Sequence, residues 1–476
     1  LQQTNTLKPE VCKLSKSKII GAILAVLILI VMNFIPATDL LSRSAINNIG
    51  ILIAVIVLLV TEPLPIGITC LSSIFLLVIF NVTPDVKSAL SGYTNQIVFF
   101  VLASFGISEA ITKVPLTNRF LKILIKLFGK NVRLILLAFM IASAVLSSFV
   151  SNVATTAVFI AVVLTFLQIY KNDNDRKKTG KAFMIALPVA SMIGGMITPA
   201  GSSLNLLTMN YIRQLTGISV SFVEWMLMGI PVVVIMLPIA WLIIVKVYGV
   251  TELGEKDIQD FVNNLDVPEK MDFKEKYVIA IVFAMFVFWI LSSWYPVFNI
   301  TVVALVGFFL FFLPKIQILT WDEFEKSVSW PAFFLLASII TVGDALIANG
   351  VDKWLITFLP SSINLPLFGI AFVVGIIVFL MLIIVPVAPA LIALLSAPLV
   401  GLSANIGITP LLPMMTLGLT VANCYLLPLD TVPIITYMTG YYKMYDMPKS
   451  TAFIQVIMAA VVAAWLPVAL KIIGHI

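Results

Sequence analysis

The stretch Ser147-Ser148-Phe149-Val150-Ser151-Asn152-Val153 interrupts the middle of a long apolar run, residues 131–170. A membrane-crossing helix takes about 20 apolar residues, and this run is long enough for two short helices. Serine and asparagine are poor inside a helix and good at its start, because their side-chain oxygens accept from the first free N–H groups. The stretch therefore reads as the turn of a re-entrant hairpin that enters and leaves the bilayer on one side, with its second helix starting near Val153. Irregular backbone at membrane depth survives only inside protein or against a polar cavity. This turn makes the chain an all-α polytopic membrane protein with a polar centre.

Composition points the same way. Of 476 residues, 61% are hydrophobic and 11% charged, against about 25% charged in soluble domains. Candidate spans fall at 19–35, 46–60, 62–80, 95–112, 181–198, 224–248, 272–293, 297–314, 329–350, 409–429 and 449–473. The apolar runs are continuous rather than alternating, which excludes a β-barrel. The net charge of +6 reads as lysine and arginine anchoring loops rather than as a nucleic-acid surface. No Gly-rich loop ends in Gly-Lys-Ser/Thr, so no ATP motor is expected. Cys12, Cys70 and Cys424 lie far apart and His475 is the single histidine, so no metal or cofactor site is expected. The first apolar run lacks a cleavage site and reads as a span rather than a signal peptide.

A second apolar run, 365–402, is broken by Pro386 and Pro389 and reads as a second re-entrant hairpin. The lysines Lys8, Lys13, Lys16 and Lys18 place the N-terminus in the cytoplasm by the positive-inside rule. The clusters Lys113–Arg133 and Lys171–Lys181 then both fall inside only if 131–170 returns to the side it came from. The C-terminus is expected outside. Phe99-Phe100-Val101-Leu102-Ala103-Ser104 recurs 234 residues later as Phe333-Phe334-Leu335-Leu336-Ala337-Ser338, and the first hairpin moved by that offset lands on the second. The expected plan is a cytoplasmic N-terminus (1–18), a first span and loop (19–45), a first repeat (46–250), a cytoplasmic linker (251–271) and a second repeat (272–476). Each repeat holds an odd number of full spans, so the two are inverted, the arrangement of secondary transporters whose broken helices meet at the midplane.

Each hairpin is followed by a broken span. The first, within 181–215, unwinds at Ile197-Thr198-Pro199-Ala200-Gly201-Ser202-Ser203-Leu204-Asn205 and restarts near Ser203. The second, within 409–441, breaks at Leu427-Pro428-Leu429-Asp430-Thr431-Val432-Pro433. Two tips and two breaks bring four helix N-termini toward one centre. Such N-termini attract anions, and serine and asparagine oxygens can also hold a hard cation or simply cap a helix. No lysine or arginine lies near any break. An anion with two separated carboxylates suits this layout.

Asp430 stands out, because an intramembrane carboxylate is a functional candidate. It serves either as a fixed charge or proton site, or as the cap of the helix starting near Val432. Glu109 and Asp344 read as structural caps near span ends, and Glu62 as an interfacial residue before Pro63. Trp225, Trp294, Trp330, Trp354 and Trp465 read as interface anchors.

The Ser-Asn tip, the Gly-Ser-Ser-Leu-Asn of the broken span and the order of repeats resemble the divalent anion:sodium symporter family, over nearly the whole chain from Ile19. That resemblance implies a carrier of citrate and of C4-dicarboxylates such as succinate and malate, a homodimer in the cell membrane, and an elevator mechanism. It maps sodium ligands onto Ser147, Ser151, Asn152 and Gly201. It places substrate against Ser151, Asn152, Val153, Ser202, Ser203, Val387, Ala388, Thr431 and Val432. The chain departs from the family's Ser-Asn-Thr pattern at the second tip, which reads Pro386-Val387-Ala388. In the second break Thr431-Val432-Pro433-Ile434 replaces a Thr-Pro-Pro-Asn stretch, and Asp430 stands where alanine or glycine is usual. The second sodium site therefore looks dismantled, with Asp430 counted among the cation-site remnants. The expected function is exchange of C4/C5-dicarboxylates without sodium, with a sodium- or proton-coupled symporter as the alternative. An ion channel or a membrane enzyme fits less well, since no ring of charges and no nucleophile–base pair is visible.

Overall fold

The computed structural model describes residues 16–129, 131–265, 267–358 and 364–476. The tail reading of 1–15, with Cys12, Lys8 and Lys13, lies outside them. Among the described residues all regular structure is helical: 22 α-helices, three 3-10 turns and one isolated bridge between Thr38 and Leu41.

The chain divides into two compact units. The first comprises residues 16–93 and 334–351, the second the rest of the described residues. In the first unit, α1 (Lys16–Phe34), α2 (Arg43–Thr61), α3 (Ile66–Ile79) and the short α4 (Val86–Ala89) precede most of α16 (Trp330–Ala348). Ser42 starts α2 by accepting from the Ala45 N–H. Gly21 lets α1 press on α2, since a Cβ there would lie 2.0 Å from Thr61 Oγ1. Buried hydroxyls pin α16: Ser338 Oγ meets Ser73 Oγ at 2.9 Å, and Thr341 Oγ1 accepts from the Gly92 N–H at 3.0 Å.

The second unit continues with α5 (Gln96–Thr112), α6 (Leu116–Phe128), α7 (Val132–Ser147), α8 (Asn152–Leu167), α9 (Asp173–Gly194), α10 (Ser203–Thr216) and α11 (Phe222–Tyr248). After α12 (Glu255–Asn264) come α13 (Phe273–Leu291), α14 (Ile300–Leu310) and α15 (Trp321–Ser327). Beyond α16 lie α17 (Val351–Ile356), α18 (Leu367–Ile384), α19 (Ala388–Ile406), α20 (Leu411–Val421), α21 (Thr431–Tyr437) and α22 (Pro448–Ile472). The series α2–α11 recurs element for element as α13–α22, with α12 between. Packing repeats it too: α10 lies on α19, and α21 lies on α8, which is the same contact with the halves exchanged.

Among the described residues an asparagine, serine or aspartate side chain caps ten of the 22 α-helices. Asn131 accepts from Leu134, Asp272 from Glu275, and Ser221 forms a capping box with Glu224. Each supplies one of the free N–H groups of the first turn with an acceptor. The bend of 62° between α5 and α6 falls at Pro115, whose ring cannot continue α5. There Arg119 on α6 reaches Glu275 on α13 with two parallel bonds, Nε–Oε1 at 2.5 Å and Nη2–Oε2 at 2.9 Å. Glu275 is 1% exposed, so this pair works at low dielectric.

Both ends of the first hairpin meet one loop. The Val132 N–H donates to Glu252 Oε2 at 2.7 Å and Arg133 pairs with Glu252 at 3.2 Å, while the Tyr170 hydroxyl donates to the Thr251 carbonyl at 2.6 Å. The run 131–170 does return to where it starts. Phe139, Phe159, Phe166 and Phe183 interlock α7, α8 and α9, with ring centroids 5.3–6.3 Å apart.

Several span boundaries differ from the sequence reading. Among the described residues seven helices have the length and apolarity to cross a membrane singly, the bent pair α5–α6 passes jointly, and α3, α7, α8, α14 and α20 are shorter apolar helices. The span expected over 297–314 stops at Leu310, where Pro314 and the positive φ of Lys315 (74°) and Gln317 (36°) turn the chain. The span expected over 409–429 stops at Val421, leaving 422–430 unwound ahead of α21. Conversely α9 starts at Asp173, earlier than 181, because Asn172 caps it and Asp173 and Asp175 favour its positive end.

Candidate functional site

The first tip is a short non-helical link between α7 and α8. Ser147 Oγ donates to Asn152 Oδ1 at 2.5 Å across it. Ser151 is the residue before α8 but its side chain makes no capping bond; its N–H reaches Ser108 Oγ at 3.4 Å. The first intrahelical bond of α8 runs from the Thr155 N–H to the Ser151 carbonyl. The N–H groups of Asn152, Val153 and Ala154 precede it and have no carbonyl of their own helix to meet.

The first break holds this tip from below. Thr198 Oγ1 donates to the Ser148 carbonyl at 2.6 Å and accepts from the Gly201 N–H at 3.0 Å. Asn205 Nδ2 donates to the Gly195 and Thr198 carbonyls, each at 2.8 Å. Three glycines allow close approach here: a Cβ on Gly195 would lie 2.6 Å from Asn152 Oδ1, and one on Gly194 would lie 2.2 Å from the Ala144 carbonyl oxygen. A Cβ on Gly201 would strike the Gly195 carbonyl at 2.5 Å. Ser147, Asn152 and Gly201 are thus linked through Gly195 into one oxygen-rich cluster, chemistry suited to a hard cation, while the free N–H groups at the start of α8 suit a carboxylate. Ser202 caps α10 by accepting from the Leu204 N–H, and Ser203 is its first residue.

The second tip differs. Val385, Pro386 and Val387 separate α18 from α19, and Val387 caps nothing through its side chain. The first bond of α19 joins the Leu391 N–H to the Val387 carbonyl. Since Pro389 has no N–H, only Ala388 and Ala390 offer free donors in that turn.

The second break ends at Asp430, whose Oδ1 accepts from the Val432 N–H at 3.1 Å and so caps α21. Thr431 is exposed and Val432 buried. The two breaks meet at Met196: Trp225 Nε1 donates to its carbonyl at 3.0 Å, and Asn423 Nδ2 lies 3.1 Å from its sulfur. Gln455 Nε2 holds the Asn423 carbonyl at 2.9 Å. The Oδ1 atoms of Asn205 and Asn423 and the Tyr425 hydroxyl are buried with no hydrogen-bond partner among the described residues.

The sequence reading missed Gly195, Thr198, Asn423 and Trp225. The Gly194-Gly195 pair inside an apolar helix and a threonine just before Pro199 were available signals for two of them. Trp225 is corrected: it is fully buried and anchors a break rather than an interface, whereas Trp294 is 63% exposed. Glu109 and Asp344 are corrected as well. Both lie inside α5 and α16, within about a turn of the C-terminal end, rather than at an N-terminus.

Residues 16–472 match the family model described as the sodium:sulfate symporter transmembrane region. The sodium-dependent dicarboxylate transporter SdcS of Staphylococcus aureus strain USA300 is 28% identical over 482 aligned residues, covering 94% of this chain and 90% of the relative. SdcS of strain COL aligns to the same extent. Among solved structures, the Alcanivorax borkumensis YdaH transporter superposes with a TM-score of 0.51 at 11% identity, covering 97% of this chain and 99% of that one, a likeness of fold.

Proposed function

Because this chain belongs to the sodium:sulfate symporter family of membrane transporters, we propose that it exchanges C4/C5-dicarboxylates, of the succinate, malate and 2-oxoglutarate class and extending to citrate, across the cell membrane. The observation that carries this reading is the inequality of the two tips. The first has Ser147 Oγ and Asn152 Oδ1 in contact beside Gly195 and Gly201. At the second, the side chains of Pro386, Val387 and Ala388 offer no oxygen to a cation. A symporter carrying a dianion draws on cations at both poles to offset its charge. With one pole bare, one anion travelling against another balances charge without them.

One carboxylate meets the N–H groups of Asn152 and Val153 with Ser151, Ser202 and Ser203 nearby, and the other meets the N–H groups around Ala388 and Thr431. The reciprocal packing of α10 on α19 and α21 on α8 supports movement of α7–α11 and α18–α22 as one body, an elevator. Homodimerisation, a cytoplasmic N-terminus and an external C-terminus complete the proposal, supported by the family likeness and the lysine-rich loops.

A sodium-coupled symporter is the second reading, favoured by the intact cluster at the first tip and by the sodium dependence of the S. aureus relatives. Counterflow in proteoliposomes separates the two. Vesicles loaded with succinate or malate should accumulate labelled dicarboxylate with or without sodium, and empty vesicles should not. Equal uptake into empty vesicles under a sodium gradient would establish the symporter instead.

A further inference from the structure

Away from both breaks, the start of α9, the end of α11 and the loop ahead of α22 enclose a basin of about 470 Å³. Lys177, Lys178, Lys181, Lys443 and Lys449 line it, against a single carboxylate, Asp446. The basin is built rather than incidental. Gly180 leaves room for the Tyr441 ring, which a Cβ there would meet at 2.1 Å. The Tyr248 hydroxyl donates to the Asp446 carbonyl at 2.7 Å and joins the end of α11 to this loop.

Three of the five lysines are already matched. Lys177 pairs with Asp173 at 2.7 Å, and Lys181 and Lys449 share Asp446 at 3.0 and 2.9 Å. Lys178 and Lys443 have no ion pair among the described residues, and the Lys178 side chain lies over Gly249, whose added Cβ would meet its Cε at 3.1 Å. Two ammonium groups thus face a cavity with their charge unspent. Beside it the turn ahead of α22 and the start of that helix are apolar and uncovered: Tyr445 of the turn is 77%, Phe453 64% and Val456 50% exposed.

We propose that this basin binds the phosphate headgroup of an anionic membrane lipid, with Lys178 and Lys443 on the phosphate and the acyl chains lying along Phe453 and Val456. Lysine serves phosphate as a point charge without needing a planar fork, and basic pockets between helix ends at the membrane surface suit such headgroups. The adjoining apolar strip favours a lipid over a soluble anion, because only a lipid brings hydrocarbon to cover it.

The test uses the full chain in uncharged detergent micelles doped with phosphatidylglycerol or phosphatidylcholine, read by thermal unfolding. Phosphatidylglycerol should raise the midpoint of the unmodified protein and phosphatidylcholine should not. The double variant Lys178→Gln/Lys443→Gln should bind phosphatidylglycerol about 25-fold more weakly, at about fivefold per lysine, while Lys178→Arg/Lys443→Arg retains the response. An equal response in the Gln variant overturns the site. An equal response of the unmodified protein to soluble glycerol phosphate overturns the lipid as the source. Should the Gln variant not fold, a photoreactive phosphatidylglycerol on the unmodified protein decides: labelling of peptides around Lys178 and Lys443 supports the proposal, and labelling confined elsewhere overturns it.

Discussion

Thr198 Oγ1 donates to the carbonyl of Ser148 at 2.6 Å, so one hydroxyl ties the first broken span to the tip of the first hairpin. The same oxygen accepts from the Gly201 N–H at 3.0 Å. Thr198→Val keeps the shape and removes both bonds; the Gly201 N–H keeps the Thr198 carbonyl at 3.2 Å, and the Ser148 carbonyl is left short of a partner. The expected loss is about 1–3 kcal/mol of stability, the cost of one buried group left unpaired. Thermal unfolding in detergent measures it. Dicarboxylate uptake should fall more than the unfolding midpoint alone explains, because the tip loses its fixed geometry.

Asp430 caps α21 through the Val432 N–H. Asparagine caps as well as aspartate, so Asp430→Asn should leave exchange and its pH profile unchanged. Asp430→Ala should cost about 1 kcal/mol of stability. Uptake measured across pH checks this. A flattened profile in the Asn variant would give the carboxylate a part in proton handling.

Arg119→Leu should be among the most damaging substitutions outside the site. Glu275 would remain buried with no counter-charge, at a cost of about 3–5 kcal/mol. Replacing both, as Arg119→Leu/Glu275→Leu, should recover most of that loss, since an apolar pair of similar volume serves as well as a buried ion pair. Expression level and unfolding midpoint of the two variants give the comparison.

Asp446 supplies a pH-dependent contribution. Burial pushes its carboxyl upward, but Lys449, the Lys443 N–H and Lys181 outweigh burial and hold it well below the usual 3.8. A carboxyl lowered in the folded state stabilises above its unfolded value and loses that contribution as pH falls through its folded value. The difference in unfolding midpoint between the unmodified protein and Asp446→Asn should therefore hold constant from neutral pH down to about 4 and shrink below it. A difference that grows on acidification would contradict the ion-pair assignment.

Hairpins and breaks were legible because they depend on local chemistry. Ser151-Asn152, Pro386, Thr198-Pro199 and Pro428 act on the few residues around them, and a sequence shows neighbours plainly. What stayed hidden depends on facing. Trp225 resembles any tryptophan near a span end until α11 turns it toward Met196. Arg119 and Glu275 are separated by 156 positions, and Lys181 and Asp446 by 265. Hydropathy alone also overstated α14 and α20, since Phe311, Phe312 and the residues after Val421 are apolar without being helical. At the candidate site, Ser147 touches Asn152 and Gly201 lies against the Gly195 carbonyl, and nothing in the sequence around Gly195 announces that it sits between them.

The second tip has a consequence for how this protein is studied. Its contribution to any bound anion comes from the N–H groups of Ala388 and Ala390, which belong to the main chain and survive every ordinary substitution. Under the proposed two-pole binding, an alanine scan would register the first tip strongly and pass over the second in silence. Only changes that delete a donor outright can make that half visible: proline at Ala388 or Ala390, or backbone ester replacement at the same positions.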